Sequence, residues 1–131
     1  MSCPACGAPT VEAPVPPDLQ EYLPDARPGL ALCEHCLTVM PVDGPPADLP
    51  SFTSVSEALP RDPERAVPVV LMLALLDSLA LYRTELDALA TVAERRGIDP
   101  LLVLDRLAND ASLEPTFDIA RRRDQLAQVL S

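Results

Sequence analysis

Four cysteines, arranged as two Cys-x-x-Cys pairs, offer the most readily identified chemistry in this chain. The first pair is Cys3 and Cys6, and the second pair is Cys33 and Cys36. Two intervening residues let one tight turn aim both sulfurs at a single ion, so two such turns supply four thiolate ligands. We therefore predict one tetrahedral zinc (Zn2+) site with these cysteines as ligands. Because four protein ligands leave no open position for water or substrate, the zinc is expected to be structural.

Two other chemistries use a similar cysteine pattern and stay open as alternatives. A rubredoxin-like iron electron carrier also binds its metal through two such pairs. The N-terminal half, however, has only Tyr22 and Phe52 as aromatic residues, and the second pair lacks the glycine that follows the first. Thiol redox catalysis requires a pair that begins a helix after a strand, and the two residues before Cys3 are too few for that strand. His35 could replace a cysteine as ligand, but four thiolates already complete the site.

The charge of the chain is strongly negative. Twenty acidic residues are set against ten basic residues, all of which are arginine, and the formal net charge is −10. Four thiolates around a dication would bring the metal-loaded chain to about −12. Such a charge opposes compaction unless salt screens the repulsion, and with the absence of lysine it is typical of proteins from extreme halophiles. We therefore predict a halophilic protein, and the alternative is an ordinary acidic protein from a GC-rich genome.

The acidity also bears on nucleic acid as a partner. Residues 1–41 contain five acidic residues against Arg27 alone, a net charge of −4. A ribbon that binds nucleic acid would normally be basic. Residues 93–106 match a helix-turn-helix only loosely, because Arg96 and Arg106 occupy positions that are apolar in that motif. We therefore expect no nucleic-acid contact.

No segment of the sequence predicts a membrane protein. The most apolar run, residues 69–76, is followed by Asp77 and Ser78 and is far too short to span a bilayer. The N-terminus has neither the basic nor the apolar segment of a secretory signal, so we expect a cytoplasmic protein. In a reducing cytosol, four cysteines favour a metal over disulfides.

The order of sequence patterns predicts an α+β fold with three parts. Residues 1–41 are predicted to form a zinc-ribbon-like metal module, residues 42–61 a proline-rich connector and residues 62–131 a helical bundle. The metal module should contain short strands and one turn of helix, limited in length by its prolines. The predicted strands cover residues 10–15, 30–32 and 37–40, and the helical turn covers residues 18–23.

Three helices are predicted after the connector. The first begins with Asp62 as N-cap and is broken or kinked at Pro68. Beyond this proline, apolar residues recur every three or four positions from Leu71 to Ala93, which predicts one long helix that ends at Gly97. The two later helices are predicted over residues 100–109 and 115–130, the former after Asp99 as N-cap.

The apolar surface of the long helix is predicted to be buried by another segment or protein. Residues 69–76 are apolar on nearly every face, so another part of the chain or a second protein must pack on them. We expect the connector to fold over them through Phe52, Val55 and Leu59. The apolar area that remains is expected to support self-association or contact with an unknown protein partner.

Polar residues in the helical part have structural interpretations. Asp77 and Ser78 are predicted to be a hydrogen-bonded pair in the core or a contact to the connector. The arginines near the C-terminus are predicted to be ion-paired on a helix face rather than to bind phosphate. These arginines and their expected partners are Arg121, Arg122, Arg123, Asp118 and Asp124.

The whole chain resembles a family of small haloarchaeal proteins of unknown function, with a zinc-ribbon-like N-terminal segment and a C-terminal helical part. The resemblance implies a halophilic, archaeal origin and a bound metal, and it brings no known activity. The matching segments are Cys3-Pro4-Ala5-Cys6-Gly7, Leu32-Cys33-Glu34-His35-Cys36-Leu37, Leu76-Asp77-Ser78-Leu79-Ala80-Leu81, Gly97-Ile98-Asp99-Pro100, Leu104-Asp105-Arg106-Leu107-Ala108 and Arg121-Arg122-Arg123-Asp124-Gln125-Leu126.

The combined observations predict a non-enzymatic, zinc-stabilised protein that acts as a protein-interaction or adaptor module. The helical part has no histidine and no evident pair of nucleophile and base, which argues against acid–base or acyl chemistry. The alternatives are a transcription-type nucleic-acid-binding regulator and the rubredoxin-like iron electron carrier.

Overall fold

The computed structural model describes residues 2–130 and begins with a three-stranded antiparallel sheet. The strand order is β1–β2–β3, with Thr10 opposite Cys33 and Gly29 opposite Val42. Two short 3-10 helices, Pro17–Tyr22 and Pro24–Ala26, connect the first two strands. The strands are β1 (Thr10–Pro14), β2 (Gly29–Cys33) and β3 (Val39–Val42).

The third strand begins two residues later than predicted. Leu37 has a φ of 61°, in the left-handed region that a strand does not contain, so the turn after Cys36 extends through it. The central strand β2 is buried along its whole length, with Leu30 and Leu32 fully inaccessible. The first residue of β2 is Gly29, and any side chain at this position would collide with Pro45 of the connector.

Four α-helices follow, rather than three. They are α1 (Pro63–Leu76), α2 (Arg83–Arg95), α3 (Pro100–Ala108) and α4 (Ile119–Leu130). The predicted N-caps of α1 and α3 are confirmed, since Asp62 accepts from the N–H of Glu64 at 3.0 Å and Asp99 accepts from the N–H of Leu102 at 3.2 Å. The last helix begins later than residue 115, after Asp118, whose carboxylate accepts the N–H of Arg121 at 3.0 Å.

The single long helix predicted up to Gly97 is wrong. The chain reverses over residues 77–82, and α2 packs back against α1. A continuous helix over residues 69–96 would be about 40 Å long, and the rest of this small chain could not cover its apolar stripe. The reversal lets the two apolar faces cover each other, with Leu86 and Leu89 of α2 fully buried.

Pro68 does not break α1, which continues through it. Proline has no N–H to donate to the carbonyl four residues earlier, which is that of Glu64. A guanidinium N–H of Arg96, from the end of α2, donates to this carbonyl at 2.5 Å. Arg96 therefore replaces the hydrogen bond that Pro68 removes, and it ties the two ends of the α1–α2 pair together.

One hydrophobic core joins the sheet, the connector and the helices. The connector residues Phe52, Val55 and Leu59 are at most 5 % exposed and belong to this core, as predicted. Ser56 is buried between them, and its hydroxyl donates to Asp110 in the α3–α4 loop at 2.6 Å. The connector is therefore packed into the core and forms part of the folded structure.

The apolar run of α1 is covered within the chain. Between residues 69 and 76 every residue except Ala74 is at most 3 % exposed. Among residues 2–130, the exposed large hydrophobic side chains are Leu81 and Leu102. The remaining apolar patch expected on α1 is thus absent from the described surface. No helix within the described range is both long and apolar enough to cross a membrane.

Candidate metal centre

The sulfurs of all four cysteines converge at the end of the sheet where β2 ends, at Cys33. They lie within 4.8 Å of one another, and the Sγ atoms of Cys3 and Cys36 are 3.6 Å apart, those of Cys6 and Cys33 3.4 Å apart. Four sulfurs around one tetrahedral zinc, at a Zn–S distance of about 2.3 Å, are separated by about 3.8 Å. The cluster is therefore of the right size to bind one metal ion.

The first turn, residues 3–7, holds its cysteines through backbone hydrogen bonds. The N–H of Gly7 donates to the carbonyl of Cys3 at 2.8 Å, and the N–H of Cys3 donates to the carbonyl of Ala8 at 2.8 Å. Gly7 has a φ of 79°, which glycine adopts without steric cost. Cys6 is exposed, so solvent reaches this side of the cluster.

The second turn, residues 33–37, shares two features with the first. Cys33 is the last residue of β2, and its N–H donates to the carbonyl of Thr38 at 2.9 Å. Leu37 follows the second cysteine, as Gly7 does in the first turn, and takes the same left-handed conformation. The missing glycine therefore does not distinguish the two turns, and it is no argument against iron. Burial of the Leu37 side chain, 1 % exposed, offsets the strain of its backbone, about 1–2 kcal/mol.

Backbone N–H groups donate to the sulfurs of this site. The N–H groups of His35 and Cys36 both point at the Sγ of Cys33, each at 3.4 Å. Burial raises the pKa of the Cys3 thiol. Hydrogen bonds from the backbone of Cys6 and Ala5, together with those from the Cys36 and Cys33 side chains, outweigh this effect and bring the pKa to about 6. Thiolates are the form that binds metal.

Cys36 has the opposite balance. Burial raises the pKa of its thiol, although its Sγ lies 3.0 Å from the hydroxyl of Thr38, which lowers it. A buried sulfur whose ionisation is disfavoured needs a nearby cation to hold its negative charge. With four thiolate donors and no other ligand, the cluster is suited to a soft or borderline metal such as zinc or iron.

His35 is not part of the four-sulfur cluster. Its side chain is 42 % exposed, and its Nε2 lies 3.4 Å from a carboxylate oxygen of Glu114. The N–H of Glu114 also donates to the carbonyl of His35 at 2.9 Å. The cysteine turn is therefore fastened to the α3–α4 loop, a contact across about 80 residues of sequence that no local pattern could indicate.

The polar residues singled out in the helices lie away from this centre. Asp77 and Ser78 are exposed in the α1–α2 turn, so their predicted core position is wrong. The chain reversal places Asp77 and Ser78 in an exposed turn, whereas a continuous helix would have placed them in the core. Asp77 pairs with Arg122 of α4 at 3.3 Å, and Arg123 pairs with Asp124 at 3.3 Å. The ion-paired interpretation of the arginine run is confirmed with its expected partner for Arg123, whereas Arg122 pairs with Asp77 instead of Asp118 or Asp124.

The comparisons with known proteins give one match. The sequence model of a family of unknown function, DUF6276, matches residues 2–130. Neither the curated proteins nor the solved structures include a match. The predicted resemblance to a family of unknown function is confirmed at this level, and the haloarchaeal origin stays a prediction.

Proposed function

The chain belongs to this family of unknown function, and we propose that it is a non-enzymatic protein-interaction module whose N-terminal ribbon is held by one structural zinc ion. The observation that carries the zinc proposal is the convergence of all four cysteine sulfurs within 4.8 Å. Four protein thiolates complete a tetrahedral shell, so such an ion has no position for a substrate or a reactive water.

Metal analysis tests the zinc proposal directly. Protein purified without added metal should contain about one equivalent of zinc and no visible absorption band. Cys6→Ser should lose the zinc, whereas Ala5→Ser, a change at an exposed neighbour that is not a ligand, should retain it. Stoichiometric iron with visible absorption would replace this proposal with the electron-carrier alternative.

The interaction part of the proposal requires a surface other than α1. Variants such as Met72→Glu or Leu73→Glu do not test it, because both side chains are buried and their replacement would unfold the protein. Leu81 in the α1–α2 turn is 78 % exposed, and Leu102 on α3 is 44 % exposed. Leu81 is the more exposed of the two, and we propose it as the residue through which the protein associates.

Light scattering in molar potassium chloride tests this assignment. The wild-type protein should self-associate, Leu81→Ser should weaken the association, and Leu102→Ser serves as the matched leucine control. Equal masses for all three proteins, each corresponding to a monomer, would contradict self-association through Leu81. The acidity of residues 1–41 continues to argue against the nucleic-acid-binding alternative.

A further inference from the structure

A cleft of about 490 Å³ lies between the α1–α2 turn and α4. Its polar lining consists of two arginines and two glutamines and includes no carboxylate. These residues are Arg83, Arg122, Gln125 and Gln128. The chain has twice as many acidic as basic residues. Two guanidinium groups nevertheless share this cleft, and the carboxylate of Asp77 pairs with Arg122 from outside the lining.

The two arginines differ in how they are held. Arg122 is fixed on both sides, since one N–H lies 3.3 Å from the carboxylate of Asp77 and another donates to the side-chain oxygen of Gln125 at 3.1 Å. The side chain of Arg83 is exposed and has no hydrogen bond or ion pair to any residue in the described range. The guanidinium of Arg122 is thus held in place, whereas all N–H donors of Arg83 are available to a ligand.

We propose that this cleft binds the carboxylate or phosphate group of a small organic anion. A guanidinium donates two parallel hydrogen bonds to either group, and the side-chain amide of Gln125 lines the same cleft. The volume of the cleft lies within the range of small-molecule sites, about 300–1,000 Å³. The proposal does not depend on the interaction surface or on the identity of the metal.

The overall charge restricts the size of the ligand. Asp77 offsets the charge of Arg122, so Arg83 supplies the net positive charge of the cleft. A polyanion such as nucleic acid would extend over the acidic surface and be repelled by it. A small anion in the cleft, in contrast, interacts only with charges closer than the Debye length, which is about 8 Å at physiological salt.

Calorimetric titration of the full, metal-loaded chain tests the proposal, with sodium phosphate and sodium succinate as the two probes. At least one probe should bind saturably with one site per chain. Arg83→Gln should weaken that binding about tenfold or more, because a charged donor pair is lost. Binding of phosphate alone or succinate alone would identify the class of anion.

Arg106→Gln is the matched control. Arg106 is an exposed arginine on α3 outside the cleft, and its replacement changes the net charge by the same amount as Arg83→Gln. The Arg106→Gln variant should bind the probes with the same affinity as the wild-type protein. Arg122→Gln provides a second variant within the cleft, and it should also weaken binding. No saturable binding of either probe, or equal weakening by Arg83→Gln and Arg106→Gln, would overturn the proposal.

Discussion

Removal of the proposed zinc ion is expected to destabilise the helices as well as the N-terminal ribbon, because both contribute to one core. Leu30 and Leu32 of β2 and Leu37 after Cys36 are at most 1 % exposed and pack in the same cluster as α1. β2 ends at Cys33, and Leu37 directly follows Cys36; both cysteines are proposed ligands. Release of the cysteines therefore frees the backbone that holds these leucines in place.

The loss can be estimated from these three side chains. Exposure of a buried leucine costs about 1.5–3 kcal/mol, which gives about 5–9 kcal/mol for three. A folded domain is stabilised by about 5–15 kcal/mol in total. The metal-free chain should therefore lie close to its unfolding threshold, with the helices and the ribbon lost in a single transition.

The measurement follows zinc release and helix content together. A chelator is added to the zinc-loaded chain in molar potassium chloride, with a chromogenic chelator reporting free zinc and far-UV circular dichroism reporting the helices. The two signals should change over the same range of chelator concentration, and Ala5→Ser should behave like the wild-type protein. Full helical signal and an unchanged melting temperature after complete zinc release would refute the reasoning, because they would show that the ribbon is an independent unit.

Three further predictions concern charge and specific contacts. The melting temperature should rise from low to molar potassium chloride, since salt screens the repulsion of a net charge of −10, and a flat curve would remove the halophile interpretation. The hydrogen bonds from Ser112 and Ser56 hold the pKa of the Asp110 carboxyl below its ordinary value of 3.8, so its stabilisation should be present above that pH and be lost as the pH falls below it. Ser56→Ala should accordingly lower the free energy of unfolding by about 1 kcal/mol near neutral pH and by less in acid, and an equal loss at both pH values in urea denaturation would contradict this. Arg96→Met should cost about 1 kcal/mol in the wild-type protein and almost nothing in a Pro68→Ala background, where an alanine N–H satisfies the same carbonyl; equal costs in the two backgrounds would show that Arg96 does not compensate for the proline.

The sequence alone determined the features that depend on a few neighbouring residues. Two residues between paired cysteines restrict both sulfurs to one side of a turn, so the cluster of Cys3, Cys6, Cys33 and Cys36 was predictable. A side-chain oxygen that caps a helix acts within three residues, so Asp62 and Asp99 marked the starts of α1 and α3.

Only the tertiary structure decided where the long apolar pattern turns back. The spacing of apolar residues is the same on both sides of the α1–α2 turn, so the period gives no sign of a reversal between Leu76 and Arg83. The reversal depends on how much apolar area the whole chain can cover, which is not a local property. It places Arg83 in the same cleft as Arg122, and a separate long-range contact brings Arg96 to the carbonyl freed by Pro68. Residues far apart in sequence acquire such neighbours only when the core assembles, because the free energy of burial depends on all of the packed elements together.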